Sequence, residues 1–351
     1  MPRILQFTDL HMRAVLPGHS GHLERCSRHA PELLELLRTR IETEAPDLIA
    51  LTGDILDVPH DLLHGTGDPA FRAQLEAAAR TDYRTVRNWL DSLGRPWLVA
   101  TGNHDVPEAF RDVFGDASQR IDLPGLTAVS YYDWEVRDNT AERLGAEAAR
   151  FAETLERAGA GWTVHLQHYL IRPQVDFGYP MLYREADEML AQLEKARGDH
   201  LSLSGHYHFG SDVVRHGPTR FAVCPAMAEA PHPYRVFDLK ADGTVSMRQK
   251  TLVGALPGRR ALCIDRTALL TGEPEGPTEA YAFACDLSAF FAELRTCGLS
   301  PVLVSAWNDP QSRTARWADI MKRHDRAFGA LGTGADHGAA QAICIDEALP
   351  A

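Results

Sequence analysis

The sequence predicts an α/β fold followed by a second, smaller α/β unit. Three observations carry that prediction. Short apolar segments alternate with stretches whose apolar residues recur at helical spacing. Five of the apolar segments run directly into Asp, Asn or His. The alternation then restarts beyond a Pro/Gly-rich stretch, LVGALPGRR, at residues 252–260. Alternating strands and helices imply a largely parallel sheet whose carboxyl ends share one edge, where residues distant in sequence can meet.

The elements follow in order. RILQFTDLH (3–11) is an apolar strand with a polar end, and PELLELLRTRIETEAP (31–46) is a helix that stops before Pro46. DLIALTGDILD (47–57) is a second strand ending in Gly-Asp. Residues 71–93 form one or two helices and lead to the strand PWLVATGNHD (96–105). LTAVSYYDWEV (126–136) reads as a strand, and TAERLGAEAARFAETLERAG (140–159) as a helix closed by Gly159. The strand WTVHLQHYL (162–170), the helix EADEMLAQLEKARG (185–198) and the strand HLSLSGHYHFG (200–210) come next. Residues 211–252 read as short strands and turns, with Asp242-Gly243 a hairpin signal. A first domain over 1–254 and a second over 260–351 follow. In the second, RALCID, SPVLVSAW and QAICIDEA are strands, and DLSAFFAELRTCG and TARWADIMKRHD are helices.

Composition narrows the function. The formal net charge of -12 speaks against a broad phosphate-backbone footprint, so nucleic acid is a disfavoured partner. Six scattered cysteines without a Cys-x-x-Cys pair fit reduced thiols and a cytoplasmic setting. No signal-like start or bilayer-length apolar run is present, so no membrane partner is expected. Oligomeric state is left open.

The strand ends carry the chemistry. They present Asp9 and His11, Asp54, Asn103 with His104 and Asp105, His168, and His206 with His208. One Asp-x-His or Gly-Asp alone would be an ordinary strand-end or turn feature. His206-x-His208 would place two imidazoles on one side of a strand. Together, carboxylate, imidazole and amide donors without thiolate suit Mn, Fe or Zn. Seven donors exceed what one ion takes and fit two ions that share a carboxylate.

The ordered blocks Asp9-x-His11, Gly53-Asp54, Gly102-Asn103-His104-Asp105, His168 and Gly205-His206-x-His208 resemble the calcineurin-like metallophosphoesterase superfamily over roughly the first 250 residues. That resemblance implies an αββα sandwich and a dinuclear-metal phosphoesterase working by metal-hydroxide attack. Asp9, His11 and His208 would hold one ion, and Asn103, His168 and His206 the other, with Asp54 bridging. His104 would be the non-ligand catalytic histidine, oriented by Asp105. Phosphodiesters or phosphomonoesters are the expected substrates, and because the intact Gly-His-x-His and the tail YRVFDLKADGTVSMR resemble the cyclic-nucleotide phosphodiesterase-like group, a small cyclic nucleotide or related diester is the favoured one. Gly-Asn-His-Asp in place of Gly-Asn-His-Glu, and GDILDVPH without an Arg-Gly, set it apart from the protein serine/threonine phosphatases. The alternatives are an SbcD-like nuclease, which GDILD resembles, and a non-catalytic metal-binding protein.

Two further stretches could shape specificity. His19 and His22 lie in the loop after the first block, and Phe177, Tyr179 and Tyr183 follow His168. In the C-terminal unit, Asp265 with Thr267, Ser305 and Asp346-Glu347 faintly resemble haloacid-dehalogenase-like phosphatase blocks. The nucleophile position there falls on Cys263 or Asp265. The paired Asp-x-Asp is missing, so a degenerate or structural domain is the expectation.

Overall fold

The computed structural model describes residues 1–16, 25, 27–58, 69–115, 119–137, 139–175, 179–229 and 232–252, together with the backbone of three strands beyond them. His19, His22, Phe177, Thr267 and Ser305 lie outside the described residues.

Two mixed sheets form the centre. In the first, β1 (Arg3–Phe7), β2 (Leu48–Thr52) and β3 (Trp97–Ala100) run parallel. β12 (Pro233–Leu239) and β13 (Val245–Thr251) extend that sheet antiparallel on the β1 side. In the second sheet, β5 (Leu126–Ser130), β8 (Trp162–Leu166), β9 (Asp199–Ser204) and β11 (Thr219–Val223) are parallel neighbours. Short antiparallel strands β4 (Arg120–Leu123) and β10 (Val214–His216) close its edges.

Side chains that alternate along each strand explain the layering. On β1 and β2, Ile4, Leu48 and Ala50 face the second sheet and meet Val164, Leu166, Leu201 and Leu203. Their neighbours Leu5, Phe7, Ile49 and Leu51 face outward onto helices. These are α1 (Ala30–Glu44), α2 (Pro69–Ser92) and α3 (Pro107–Phe114), whose buried residues recur at three- to four-residue intervals. On the far side, α4 (Gly145–Arg157) and α5 (Ala186–Lys195) cover the second sheet through Phe151, Met189 and Leu193. The order is therefore helix, sheet, sheet, helix, as the resemblance implied.

Three details differ from the sequence reading. The parallel strands are divided between two sheets, as the resemblance implied but the strand–helix alternation alone did not, because strand periodicity says which residues are buried and not which strands pair. Residues 126–136 split into β5 and a separate β6 (Trp134–Arg137), which pairs in a hairpin with β7 (Thr140–Glu142). The helix expected from Thr140 accordingly begins at Gly145. Beyond the two sheets, β14 (Arg259–Asp265) pairs antiparallel with both β15 (Ala280–Tyr281) and β16 (Ala342–Ala348). Asp265 ends β14, and Asp346 and Glu347 lie on β16; the helices expected in this unit fall outside the described residues. No helix among the described residues is long and apolar enough to cross a membrane. Cys224, the one cysteine whose side chain is described, is buried and free.

Candidate metal centre

All seven expected ligands converge at the strand ends, three blocks from the first sheet and two from the second. The backbone bends sharply to bring them there. Asp9, His11, Asp54 and His206 all adopt positive φ, between 45° and 66°. Such conformations cost of order 1 kcal/mol each for residues with a side chain and cluster at functional sites. Two glycines admit the bends. A Cβ on Gly102 would run into the carboxylate and backbone of Asp54. One on Gly205 would strike the Thr8 hydroxyl and lie 2.6 Å from Asp9 Oδ2. His206 and His208 do not share a strand face: β9 ends at Ser204, and the turn beyond it sends the two imidazoles to different clusters.

The first cluster is Asp9, His11, Asp54 and His208; the second is Asp54, His168 and His206. Asp54 belongs to both. Its Oδ1 accepts from the His104 backbone N–H at 2.8 Å, while Oδ2 lies 3.3 Å from His168 Nε2 and 3.7 Å from His11 Nε2. This is the placement of a bridging carboxylate.

The hydrogen bonds around these residues leave room for cations. His168 Nδ1–H donates to the Thr52 carbonyl at 2.8 Å, so Nε2 presents a lone pair. That lone pair meets Asp54 Oδ2, Asn103 Oδ1 at 3.3 Å and His206 Nδ1 at 3.1 Å. His206 in turn donates through Nε2 to the Pro180 carbonyl at 3.1 Å, so its Nδ1 is also a lone pair. In the other cluster, His208 Nδ1 lies 2.6 Å from Glu229 Oε1. Its Nε2 faces Asp9 Oδ1 at 3.2 Å and His11 Nε2 at 3.3 Å. Asp9 Oδ2 is tied by the Thr8 hydroxyl and the His206 N–H, whereas Oδ1, buried beside His208 Nε2, has no donor directed at it among the described residues. Acceptors facing acceptors in a buried pocket require a positive charge between them. Imidazoles whose outer N–H is anchored to a carbonyl or carboxylate are the arrangement by which metal ligands are oriented. The donor set fits two divalent ions.

The titration behaviour agrees. Burial alone would depress His168, yet the Asp54 carboxylate outweighs it and lifts the group to about 9. His208 likewise rises to about 10 against burial, through Glu229 and Asp9. His206 falls to about 3 under burial and the neighbouring His168 charge. Burial would raise Asp54, but the charge on His168 holds it well below the carboxylate range. Where a cation is wanted, protons otherwise gather.

His104 stands beside the clusters with 18 % of its side chain exposed, its ring edge-on to His11 with centroids 4.8 Å apart. Burial holds its pKa well below normal, so the ring is neutral. The expectation that Asp105 orients it is not met. Asp105 Oδ1 accepts from the Ile55 and Leu56 backbone N–H groups and from the Tyr83 hydroxyl, and Oδ2 accepts from the Gly102 N–H. Asp105 thus staples the Gly53-Asp54 loop to the Gly102-Asn103 loop. Burial and Asp54 push its pKa up to about 7 despite those bonds. The carboxylate nearest the His104 ring is Asp57, with Oδ1 3.6 Å from Nδ1 and 3.5 Å from His11 Nδ1. Arg25 at 2.7 Å and Arg13 at 3.1 Å balance that carboxylate, so it does not create a third cation site.

Sequence reasoning missed Asp57 and Glu229. Asp57 follows Asp54 by three residues in GDILD and was readable in hindsight. Glu229 carried no local signal. Of the aromatic residues after His168, Tyr179 lies over the site, its ring centroid 5.7 Å from that of His206. Tyr183 instead supports the fold, bonded to Asp133 and Arg143.

The profile of calcineurin-like phosphoesterases matches residues 2–210. The chain belongs to the calcineurin-like phosphoesterase family. Enzymes of this family are metal-dependent hydrolases of phosphate esters, and the chain is assigned to that class. It is 25% identical over 260 residues to a "probable cyclic nucleotide phosphodiesterase" of Synechococcus sp., covering 69% of this chain and 89% of that protein. Among solved structures, it is similar to a dimetal phosphatase from Danio rerio with a TM-score of 0.51 and 13% identity, over 72% of this chain and 96% of the other. That likeness concerns the fold alone.

Proposed function

We propose that this phosphoesterase is a two-metal phosphodiesterase acting on small cyclic nucleotides or related diesters. The observation that carries the two-metal reading is Asp54, whose free carboxylate oxygen faces both histidine clusters. Asp9, His11 and His208 would hold one ion, and Asn103, His168 and His206 the other. Divalent ions there supply a Lewis acid for phosphoryl oxygens and a source of hydroxide at neutral pH.

The chain's own groups do the rest. The Thr52 and Pro180 carbonyls and Glu229 fix the His168, His206 and His208 imidazoles by their outer nitrogens, and the Asp57 carboxylate lies 3.5 Å from His11 Nδ1. His104 is the partly exposed imidazole next to both clusters and hydrogen-bonds the phosphoryl or leaving oxygen, with Asp57 behind its Nδ1. The diester preference is supported by the description of the Synechococcus relative and by the net charge of -12, which disfavours nucleic acid. Mn, Fe and Zn all suit this donor set. The C-terminal unit, in which Asp265 lacks the second carboxylate of an Asp-x-Asp pair, takes a supporting role in assembly or access.

The test uses full-length protein stripped with chelator and reloaded with Mn, Fe or Zn, assayed on bis(p-nitrophenyl) phosphate, cyclic nucleotides, nucleotide monoesters and single-stranded DNA. Metal-restored hydrolysis of the diesters, with DNA left intact, supports the reading. Full diesterase activity in the stripped protein would refute it.

A further inference from the structure

The bridging carboxylate and the amide ligand stand on two loops in close contact. A side chain on Gly102, just before Asn103, would collide with the Asp54 carboxylate. Asp105 joins the two loops: Oδ1 accepts from the Ile55 and Leu56 N–H groups at 3.1 and 3.2 Å, and Oδ2 from the Gly102 N–H at 2.9 Å. Tyr83, on α2, fastens the joined loops to the rest of the fold. Its hydroxyl donates to Asp105 Oδ1 at 2.9 Å and accepts from the Val106 N–H at 2.8 Å. One phenol oxygen thus holds both the carboxylate between the loops and the backbone three residues beyond Asn103.

Tyr83 is itself firmly held. It is fully buried, and its ring packs edge-on against Phe110 and Phe114 of α3, with centroids 5.6 and 5.8 Å away. The residue before it, Asp82, is buried too and accepts from the Val15 and Leu16 N–H groups, in the segment that follows Asp9-x-His11. Successive helix residues point about 100° apart. Two neighbours on α2 therefore bond segments beside two different ligand blocks.

We propose that Tyr83 is a positioning residue of the metal centre: through Asp105 and Val106 it sets the spacing between the bridging Asp54 and Asn103, and with it the affinity for the ion those two residues share. The inference rests on the two-metal reading above and adds a residue outside the ligand set. Removing the hydroxyl deprives the N–H of the buried Val106 of its acceptor, and that cost falls on metal binding. Without metal, the loop is free to shift and bring the N–H to water. Binding an ion returns Asn103 to Asp54 and strands the N–H again. Partners behind metal ligands govern affinity by roughly 10–100-fold, and Tyr83 acts one bond farther out, so about tenfold is expected.

The experiment dialyses stripped full-length protein against a series of free Mn concentrations and counts bound Mn per chain, for the wild type, Tyr83→Phe, Asp105→Asn and Tyr131→Phe. Tyr131→Phe removes a buried hydroxyl of the second sheet, 3.1 Å from His165 Nδ1, and serves as the structural reference. Tyr83→Phe should move one of the two uptake steps to about tenfold higher free Mn. Asp105→Asn, which sets an amide N–H against the Gly102 N–H, should move it at least as far. Tyr131→Phe should lower stability to urea and leave the Mn curve in place. A Mn curve unmoved in Tyr83→Phe, or moved equally in Tyr131→Phe, overturns the inference and leaves the two-metal reading standing. A curve unmoved in Asp105→Asn overturns it as well, whether or not Tyr83→Phe folds. Wild-type protein that binds no Mn overturns both.

Discussion

Lowering the pH should destabilise the fold through two buried histidines, His165 and His200, that belong to neither ligand cluster. On the helix-covered face of the second sheet, Tyr131 Oη lies 3.1 Å from His165 Nδ1, and His165 Nε2 lies 3.1 Å from His200 Nδ1. His200 Nε2–H then donates to the Arg197 carbonyl at 3.0 Å. Read from that end, each neutral ring uses one N–H and one lone pair, and the chain is satisfied. Burial, His200 and Arg143 hold His165 well below its ordinary pKa; burial also lowers His200, with Arg220 in the same direction against Arg197 and Asp199. The unfolded chain takes up protons near pH 6.5 while the fold resists them, so stability is complete above that pH and lost as pH falls through it. At pH 5.5 a histidine kept neutral costs about 1.4 kcal/mol, which applies to His165, and His200 adds to the loss in the same direction. Urea unfolding of the Mn-loaded protein at pH 7.5 and 5.5, followed by tryptophan fluorescence, measures this. His165→Phe should be less stable at both pH values, since Tyr131 and His200 lose a partner. Its drop between the two should be smaller than the wild-type drop by about 1.4 kcal/mol. An equal pH-dependent loss in variant and wild type would refute the reasoning.

The remaining predictions concern the site. His104→Ala should retain its metal content and lose roughly 10²–10⁴-fold in kcat, with a smaller loss for substrates with good leaving groups; loss of metal would show that His104 is a ligand. Gly205→Ala should lower metal occupancy, because the new Cβ displaces Asp9 through Thr8, and metal analysis of the purified variant reads this directly. Asp265→Ala should leave diesterase kcat within about threefold, under 1 kcal/mol of barrier. Monoester hydrolysis that survives Asp54→Asn but vanishes in Asp265→Ala would reveal a second active site.

The ligand blocks were legible because each sits where an apolar strand gives way to polar residues, and topology brings such ends together. Apolar alternation along RILQF and LIALT marked core strands, and both faces proved buried. The division into two sheets was legible only through the family resemblance, since parallel strands of either sheet carry the same apolar signature. The tertiary partners of the ligands were not legible. Glu229 reaches His208 from a separate turn, and the carbonyls of Thr52 and Pro180 have no side-chain signature. Asp105 was misassigned for a related reason. Adjacency to His104 suggested contact, but its side chain turns to the backbone of the neighbouring loop, while Asp57 arrives beside the imidazole from another strand end.

The central claim is a pair of cation sites joined by Asp54. Its most direct test is the number of metal ions per chain after reloading stripped protein with Mn and removing excess by gel filtration, for the wild type and for Asp54→Asn. The account predicts two ions per wild-type chain and fewer than one in the variant, because a neutral amide cannot balance both sites. One ion or none in the wild type, or two ions retained in Asp54→Asn, would contradict it.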